Sequence, residues 1–155
     1  MGFMDSLNQK LADIKKPPLP PIGVYRVRVS KQPTMDTIAN GKYETLDFPL
    51  QALEAVDVDQ EAFHEFGGAK NVQLRLRFLF NTDPTETVNY ERSLNRLKRF
   101  LTVHLGQAET LTTKEAIDTA VGKECLAVVT HRADNEDPEV FYIEVSKTMP
   151  LVPLK

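Results

Sequence analysis

The chain has 155 residues, a hydrophobic fraction of 41%, a charged fraction of 26% and a formal net charge of −3. These values suit one folded domain with its own core, and they exclude a polycation that holds nucleic acid through bulk charge. One cysteine and three scattered histidines exclude a disulfide framework or a zinc site. With no apolar stretch of 18 residues and no signal-peptide pattern, we expect a cytoplasmic protein with no membrane partner.

The first 16 residues carry apolar side chains at helical spacing and predict an amphipathic N-terminal helix over residues 1–16. The apolar positions are Phe3, Met4, Leu7, Leu11 and Ile14. Such a helix packs on its own domain or contacts a partner, and homo-oligomerisation through it is one of the arrangements that the pattern allows. Four prolines among residues 17–21 then predict a stiff, extended linker over residues 17–22.

Two alternating segments predict strands that bury one face of a sheet and expose arginines on the other. Residues 23–31 and 71–80 both place apolar residues at every second position. The outward positions of the two strands include Arg26, Arg28, Arg75 and Arg77. A cationic sheet face suits a nucleic-acid backbone, but it is also compatible with an ordinary solvated face in which acids such as Asp47 and Glu144 pair with the arginines.

Between these two segments, residues 32–65 predict a turn, a second strand and an acidic loop. The stretch Gln32–Lys42 is rich in turn residues and contains Asn40-Gly41, a strong hairpin signal. A second strand is predicted from Tyr43 toward Leu53, with an edge or a bulge at Pro49. Residues 54–65 hold five acids and no lysine or arginine, and we interpret them as a long loop. Their spacing does not match a calcium loop, so we expect no metal site there.

The second half of the chain predicts two helices and two strands. The longer helix runs from Tyr90 to Leu105, with Gly106 as its C-cap, and a shorter helix runs from Thr113 to Val121. Residues 125–130 are almost all apolar and predict a strand buried on both faces, whereas residues 140–146 alternate. An apolar tail, residues 148–155, closes the chain. The core stripe of the longer helix consists of Leu94, Leu97, Leu101 and Leu105.

The element order is strand, strand, strand, helix, strand, strand, after an N-terminal helix. This is the order of the OB-fold, a five-stranded barrel whose main helix lies between strands 3 and 4. We therefore expect a mainly β protein with helices, in which an OB-fold-like domain covers residues 23–147.

The sequence offers no catalytic constellation, so we expect a binding protein that is not an enzyme and needs no cofactor. It has no phosphate-binding loop, no Gly-x-Ser-x-Gly and no paired-histidine motif. Cys125 lies in an apolar run, where a thiol is inert. Residues 70–104 carry seven bases and three acids, a local excess of cations. For base stacking, parity places Tyr43 and Tyr142 outward, and the predicted acidic loop offers Phe63 and Phe66.

Several short motifs resemble small phage replication-associated proteins. Residues 19–29 contain a Pro-Gly-x-Tyr-like entry into the first strand, and Gly41-Lys42-Tyr43 begins the second strand. A leucine-rich helix ends at Leu105-Gly106, and Gly122-Lys123 precedes an apolar strand. The resemblance covers about residues 19–147, and it implies an OB-fold protein that binds single-stranded DNA in phage replication or recombination.

That resemblance implies single-stranded DNA and replication proteins as partners. Arg26, Arg28, Arg75 and Arg77 would then neutralise phosphates, and Tyr43 and Tyr142 would stack on bases. The alternative is a structural or adaptor protein of a virion or another assembly, in which the N-terminal helix and the tail form the contacts. Joint charge reversal of Arg75 and Arg77 is the test that the sequence suggests.

Overall fold

The computed structural model describes residues 2–13, 19–137 and 139–151. The described residues are mainly β, with an antiparallel sheet of six strands and a few helices, which confirms the predicted class. The strands are β1 Gly23–Val29, β2 Thr34–Ile38, β3 Tyr43–Val58, β4 Gln73–Asn81, β5 Glu124–Ala133 and β6 Phe141–Met149. The helices are α1 Gln60–Phe66, α2 Thr87–Arg99 with a π-helical turn Phe100–His104, and α3 Thr113–Asp118.

The long strand β3 organises the sheet. Its first part pairs with β4 on one side and with β2 on the other, and its second part pairs with β1. Strand β1 also pairs with β5, and β5 pairs with β6. Strands β4 and β6 approach each other, but no hydrogen-bonded register joins them among the described residues. The sheet is therefore open along this seam.

The hairpin signal is confirmed, but the strand that it joins to β3 was missed. The turn at Asn40-Gly41 connects β3 to β2, which lies inside the stretch interpreted as a turn. Ala39, Asn40 and Gly41 all have positive φ, as the tight reversal requires. One edge of β3 pairs first with β2, as far as Asp47, and then with β1, from Leu50 onward. Pro49 lies in the gap between these two pairings. The strand therefore continues through Pro49, where a missing N–H is tolerated.

The acidic segment 54–65 is not a loop. Strand β3 continues to Val58 because the edge of β1 pairs with it from Leu50 onward, and this tertiary pairing overrides the acidic composition. Helix α1 follows, and the Asp59 carboxylate caps it by accepting hydrogen bonds from two backbone N–H groups, those of Glu61 and Ala62.

The core lies on one face of the sheet and is closed by α2. Phe48 of β3, Phe78 of β4 and Phe100 form a mutual cluster, with ring centroids 5.0–5.8 Å apart. Phe100, which lies outside the predicted leucine stripe, is therefore central to the core, whereas Leu94 of that stripe is partly exposed.

Strand β5 is buried differently from the prediction. Residues Cys125, Ala127 and Val129 of β5 are buried, but the alternate positions are only half-buried, so burial on both faces is wrong. The reason is that β5 lies within the same sheet as β1 and shares its solvent face. Helix α3 begins as predicted, with the Thr112 and Glu115 side chains forming a reciprocal capping box.

The continuous N-terminal helix is also wrong for the described residues. Only two short 3-10 turns form, Phe3–Ser6 and Leu11–Asp13. All the apolar side chains of the segment that the structure describes are more than half exposed. A short helix in water needs an apolar surface to pack against, and none of the residues that the structure describes covers this segment. Residues 14–18 and 152–155, which include parts of the predicted helix, linker and tail, lie outside the described residues.

Candidate nucleic-acid interface

The predicted alternation in β1 and β4 is present. Tyr25, Val27 and Val29 face the core, as do Leu74, Leu76 and Phe78, so the arginines between them point to the opposite side. We call this solvent side of the sheet the outer face. Because register partners share a face, the pairings of β1, β3 and β4 give the neighbours of each arginine.

Arg77 is held by an acid on the neighbouring strand. It lies opposite Asp47 of β3, with Nε–Oδ1 and Nη2–Oδ2 distances of 2.7 and 3.0 Å. These hydrogen bonds raise the pKa of the Arg77 guanidinium above its ordinary value. The Asp47 side chain is only 14% exposed and that of Arg77 is 33% exposed. Arg77 therefore has a structural partner and is not a free cation.

Arg26 is neutralised twice. Its Nη1 donates to Glu124 of β5 at 2.5 Å, and its Nε donates to Glu54 of β3 at 2.9 Å. These bonds, with the Glu124 bond the largest contribution, raise the pKa of Arg26. The side chain thus ties three adjacent strands together across β1, and the two acids leave no net positive charge at this position.

Arg28 and Arg75 make no ion pair with any residue that the structure describes. Both are exposed. Arg28 lies between Gln51 of β3 and Glu124 of β5, and the Glu124 carboxylate is hydrogen-bonded to Arg26. Arg75 lies opposite Pro49 of β3. Two strand spacings and an offset of two residues separate the arginines by about 12 Å. We call Arg28 and Arg75 the open arginine pair.

Two exposed lysines lie next to the ends of these strands. Lys70 lies in the turn before β4, where the Gln51 side chain donates to the Lys70 carbonyl at 3.4 Å. Lys123 precedes β5, and its carbonyl accepts from the N–H of Val29, one residue beyond Arg28. Lys70 is among the local bases counted from the sequence, and Lys123 belongs to the Gly122-Lys123 motif. Because Lys123 adjoins Val29, whose side chain faces the core, the register does not place Lys123 on the outer face.

The two predicted stacking tyrosines do not adjoin the open arginine pair. Tyr142 pairs with Arg132, eight residues along β5 from the row of Arg28, which corresponds to about 26 Å. Tyr43 lies at the hairpin end of β3, six residues from the partner of Arg75, or about 20 Å. The Lys42 ammonium lies 5.4 Å from the Tyr43 ring centroid. The six predicted site residues therefore spread over the sheet.

Other residues singled out by sequence lie elsewhere. Phe63 packs on the buried Tyr25 ring, with centroids 6.1 Å apart, and Phe66 is also packed against the core, so neither offers a stacking face from a loop. The bases of α2 lie on the core side of the sheet, as Arg96 over the Phe78 ring illustrates. The local excess of cations is thus divided between two sides of the molecule.

Two side chains with reactive groups, Cys125 and Tyr25, are buried. Desolvation raises the pKa of the Cys125 thiol to about 12, as expected for a thiol in an apolar run. Desolvation also raises the pKa of Tyr25 to about 12, and its hydroxyl donates to the Pro21 carbonyl at 2.6 Å. The described residues contain no cluster of three potential metal ligands and no helix that is long and apolar enough to cross a membrane.

No protein-family model and no curated protein sequence matches the chain. We therefore infer a function from the geometry and charges of the outer face alone.

Proposed function

We propose that this protein binds single-stranded DNA on the outer face of its sheet, without catalysing a reaction. The observation that carries the proposal is the open arginine pair. Arg28 and Arg75 are exposed cations that form no ion pair among the described residues, whereas Arg26 and Arg77 on the same face are paired with acids. Their proposed role is to contact phosphate oxygens, and the exposed Lys70, in the turn before β4, would add a further contact.

The strand connections support an OB-like assignment. Apart from β2, the strands pair in the pattern first with second, first with fourth, second with third and fourth with fifth. The main helix follows the third strand. The remaining OB contact, between the third and fifth strands, corresponds to the open seam of β4 and β6, and OB barrels are often partly open. We propose that the domain is a partly open OB-like barrel with β2 added.

This arrangement favours a single strand over a duplex for a physical reason. An OB-fold binds through the face of its second and third strands, here β3 and β4, which carries Arg75. A flexible single strand follows a curved sheet, and its phosphates reach cations that lie about 12 Å apart. Binding through phosphates is tolerant of sequence and weakens with salt, because each contact releases counterions. The resemblance to phage replication-associated proteins supports a setting in phage DNA replication or recombination.

The test is fluorescence anisotropy of a labelled single-stranded oligonucleotide, with a duplex competitor, at several salt concentrations. Log affinity falls linearly with log salt concentration. We expect Arg28→Gln/Arg75→Gln to make this negative slope shallower by about 1.4, because each of the two lost phosphate contacts contributes about 0.7. A matched control is Arg92→Gln/Arg99→Gln, which removes the same charge from α2. Equal losses in the two double variants, or no binding by the unaltered protein at low salt, would refute the proposal.

A structural or adaptor role is the second candidate. The observation that favours it is the exposed apolar surface of the N-terminal segment, where Phe3 is 78% exposed and Leu11 is 87% exposed. Such surface is uncommon on a monomer unless it contacts a partner. The DNA-binding assay separates the two candidates. If the protein has only an assembly role, replacing Arg28 and Arg75 should not change its affinity for single-stranded DNA.

A further inference from the structure

Glu124 of β5 lies directly beside one arginine of the outer face but binds another. Its register partner on β1 is Arg28, and side chains of register partners start from Cβ atoms about 5 Å apart. The Glu124 carboxylate nevertheless accepts its hydrogen bond from Arg26, at 2.5 Å. Because Arg26 is two residues away from Arg28 on the same strand, the carboxylate leans about 7 Å along β1, away from the arginine directly opposite it.

Arg26 is well placed to hold this carboxylate. The residue opposite Arg26 on β5 is Leu126, which carries no charge, and Glu54 of β3 accepts only from the Nε of Arg26. The Nη1 group therefore binds Glu124, and this bond makes the largest contribution to the raised pKa of Arg26. The side chains of Arg26 and Glu124 are 34% and 33% exposed, so water reaches the contact only in part.

The position of Glu124 matters for Arg28 because carboxylates and phosphates bind a guanidinium in the same way. An acid that pairs with Arg28 would compete with a phosphate oxygen for the same N–H donors. Arg28 is exposed and forms no ion pair with any described residue while Glu124 is bound to Arg26. Removing Arg26 would leave the Glu124 carboxylate without its partner, next to an exposed guanidinium.

We propose that Arg26 is a positioning residue for phosphate binding, which holds the Glu124 carboxylate away from Arg28 and so keeps the open arginine pair available. This inference rests on the proposed function, and it gives a role to an arginine that is itself paired with acids. When Arg26 is absent, Glu124 pairs with Arg28 and competes with DNA.

A set of binding measurements tests whether Arg26 acts through Glu124 and Arg28. We expect Arg26→Gln to weaken binding of a labelled single-stranded oligonucleotide by about fivefold, the effect of losing one exposed charge contact. Its salt slope should become shallower by about 0.7, which corresponds to one phosphate. The same substitution should cost less than about twofold in a Glu124→Gln background, where no acid is released, and in an Arg28→Gln background, where the affected arginine is gone.

Glu54→Gln is the matched control background. It removes the other acid that is bonded to Arg26, but this acid is the register partner of Arg26 and not of Arg28. The fivefold loss caused by Arg26→Gln should therefore persist in it. An equal loss in all four backgrounds would overturn the proposal, because Arg26 would then act by direct contact or through overall charge.

A measurement without DNA separates this inference from the proposed function. The Arg28 side-chain Nε–H signal in a ¹H–¹⁵N spectrum, assigned by its loss in Arg28→Gln, should shift in Arg26→Gln and return in Arg26→Gln/Glu124→Gln. The backbone signals of the same spectra show that each variant is folded. If the signal shifts but the unaltered protein does not bind DNA, the hold on Glu124 is confirmed and the proposed function fails. If the protein binds DNA but the signal does not move, this inference fails and the proposed function stands.

Discussion

Arg77 and Arg75 lie two positions apart on the same face of β4, yet the structure predicts opposite consequences of replacing them. In Arg77→Gln, the Asp47 carboxylate loses both guanidinium hydrogen bonds while its side chain stays only 14% exposed. Leaving a charged group largely buried and unpaired costs about 1–3 kcal/mol. Because the arginine itself is 33% exposed and water screens the pair, we expect the lower part, about 1–2 kcal/mol.

Arg75→Gln provides the matched control. Arg75 lies opposite Pro49 and makes no ion pair among the described residues, so its replacement should change the free energy of unfolding by less than about 0.5 kcal/mol. For a domain of this size, the expected loss in Arg77→Gln lowers the thermal midpoint by roughly 2–8 °C.

Urea unfolding followed by far-ultraviolet circular dichroism measures both variants, since the chain has no tryptophan to report by fluorescence. Asp47→Asn and the double variant complete a cycle, in which we expect a coupling of at least about 0.5 kcal/mol between Arg77 and Asp47. Equal stability of the two arginine variants, or an additive cycle, would refute the division of the outer face into structural and open arginines.

Three further predictions concern stability and reactivity. A Cβ at Gly23 would lie 2.1 Å from the Asp57 carbonyl oxygen, whereas one at Gly41 would meet nothing within 4 Å, and both residues have positive φ. Gly23→Ala should therefore cost at least about 2 kcal/mol more in urea unfolding than Gly41→Ala, and equal costs would contradict this close approach. Burial, with a smaller effect of Arg99, lowers the pKa of His104 below its ordinary value of about 6.5. The unfolded chain then binds the proton more tightly, so stability should fall as pH falls below about 6.5, and His104→Gln should flatten that part of a thermal-midpoint profile. The Cys125 thiol, with a pKa of about 12, should resist a disulfide reagent at pH 8 until urea unfolds the protein, and prompt labelling of the folded state would show that it is accessible.

Sequence patterns predicted the elements whose signals are local. The alternation of β1 and β4 reports which side chains enter the core, and their buried residues follow it. The Thr112–Glu115 capping box and the Asn40-Gly41 turn are likewise set by neighbouring residues. These features need no knowledge of what lies across the sheet.

The missed elements depend on distant partners. Strand β2 forms because the first part of β3 offers it an edge, and residues 54–58 are extended because β1 pairs with them. The N-terminal segment differs in the opposite way: its sequence has a helical pattern, but none of the described residues covers its apolar side chains. Composition and spacing do not encode these long-range pairings.

The candidate site shows the same limit at the level of single charges. Parity predicted correctly that Arg26, Arg28, Arg75 and Arg77 share one face, but the register of β3 and β5 decides which of them meets an acid. Asp47 lies opposite Arg77, and Glu54 lies opposite Arg26. Glu124 is the register partner of Arg28 but is hydrogen-bonded to Arg26, and Arg75 lies opposite Pro49.

This division changes how the site must be tested. The joint reversal of Arg75 and Arg77 suggested by the sequence would place an acid against Asp47, so a loss of DNA binding could reflect a damaged sheet as well as a lost phosphate contact. Arg28 and Arg75 avoid this confusion because neither holds a neighbouring strand through an ion pair. Variants of the open arginine pair therefore separate recognition from stability, and a binding defect measured there is evidence about phosphate contact alone.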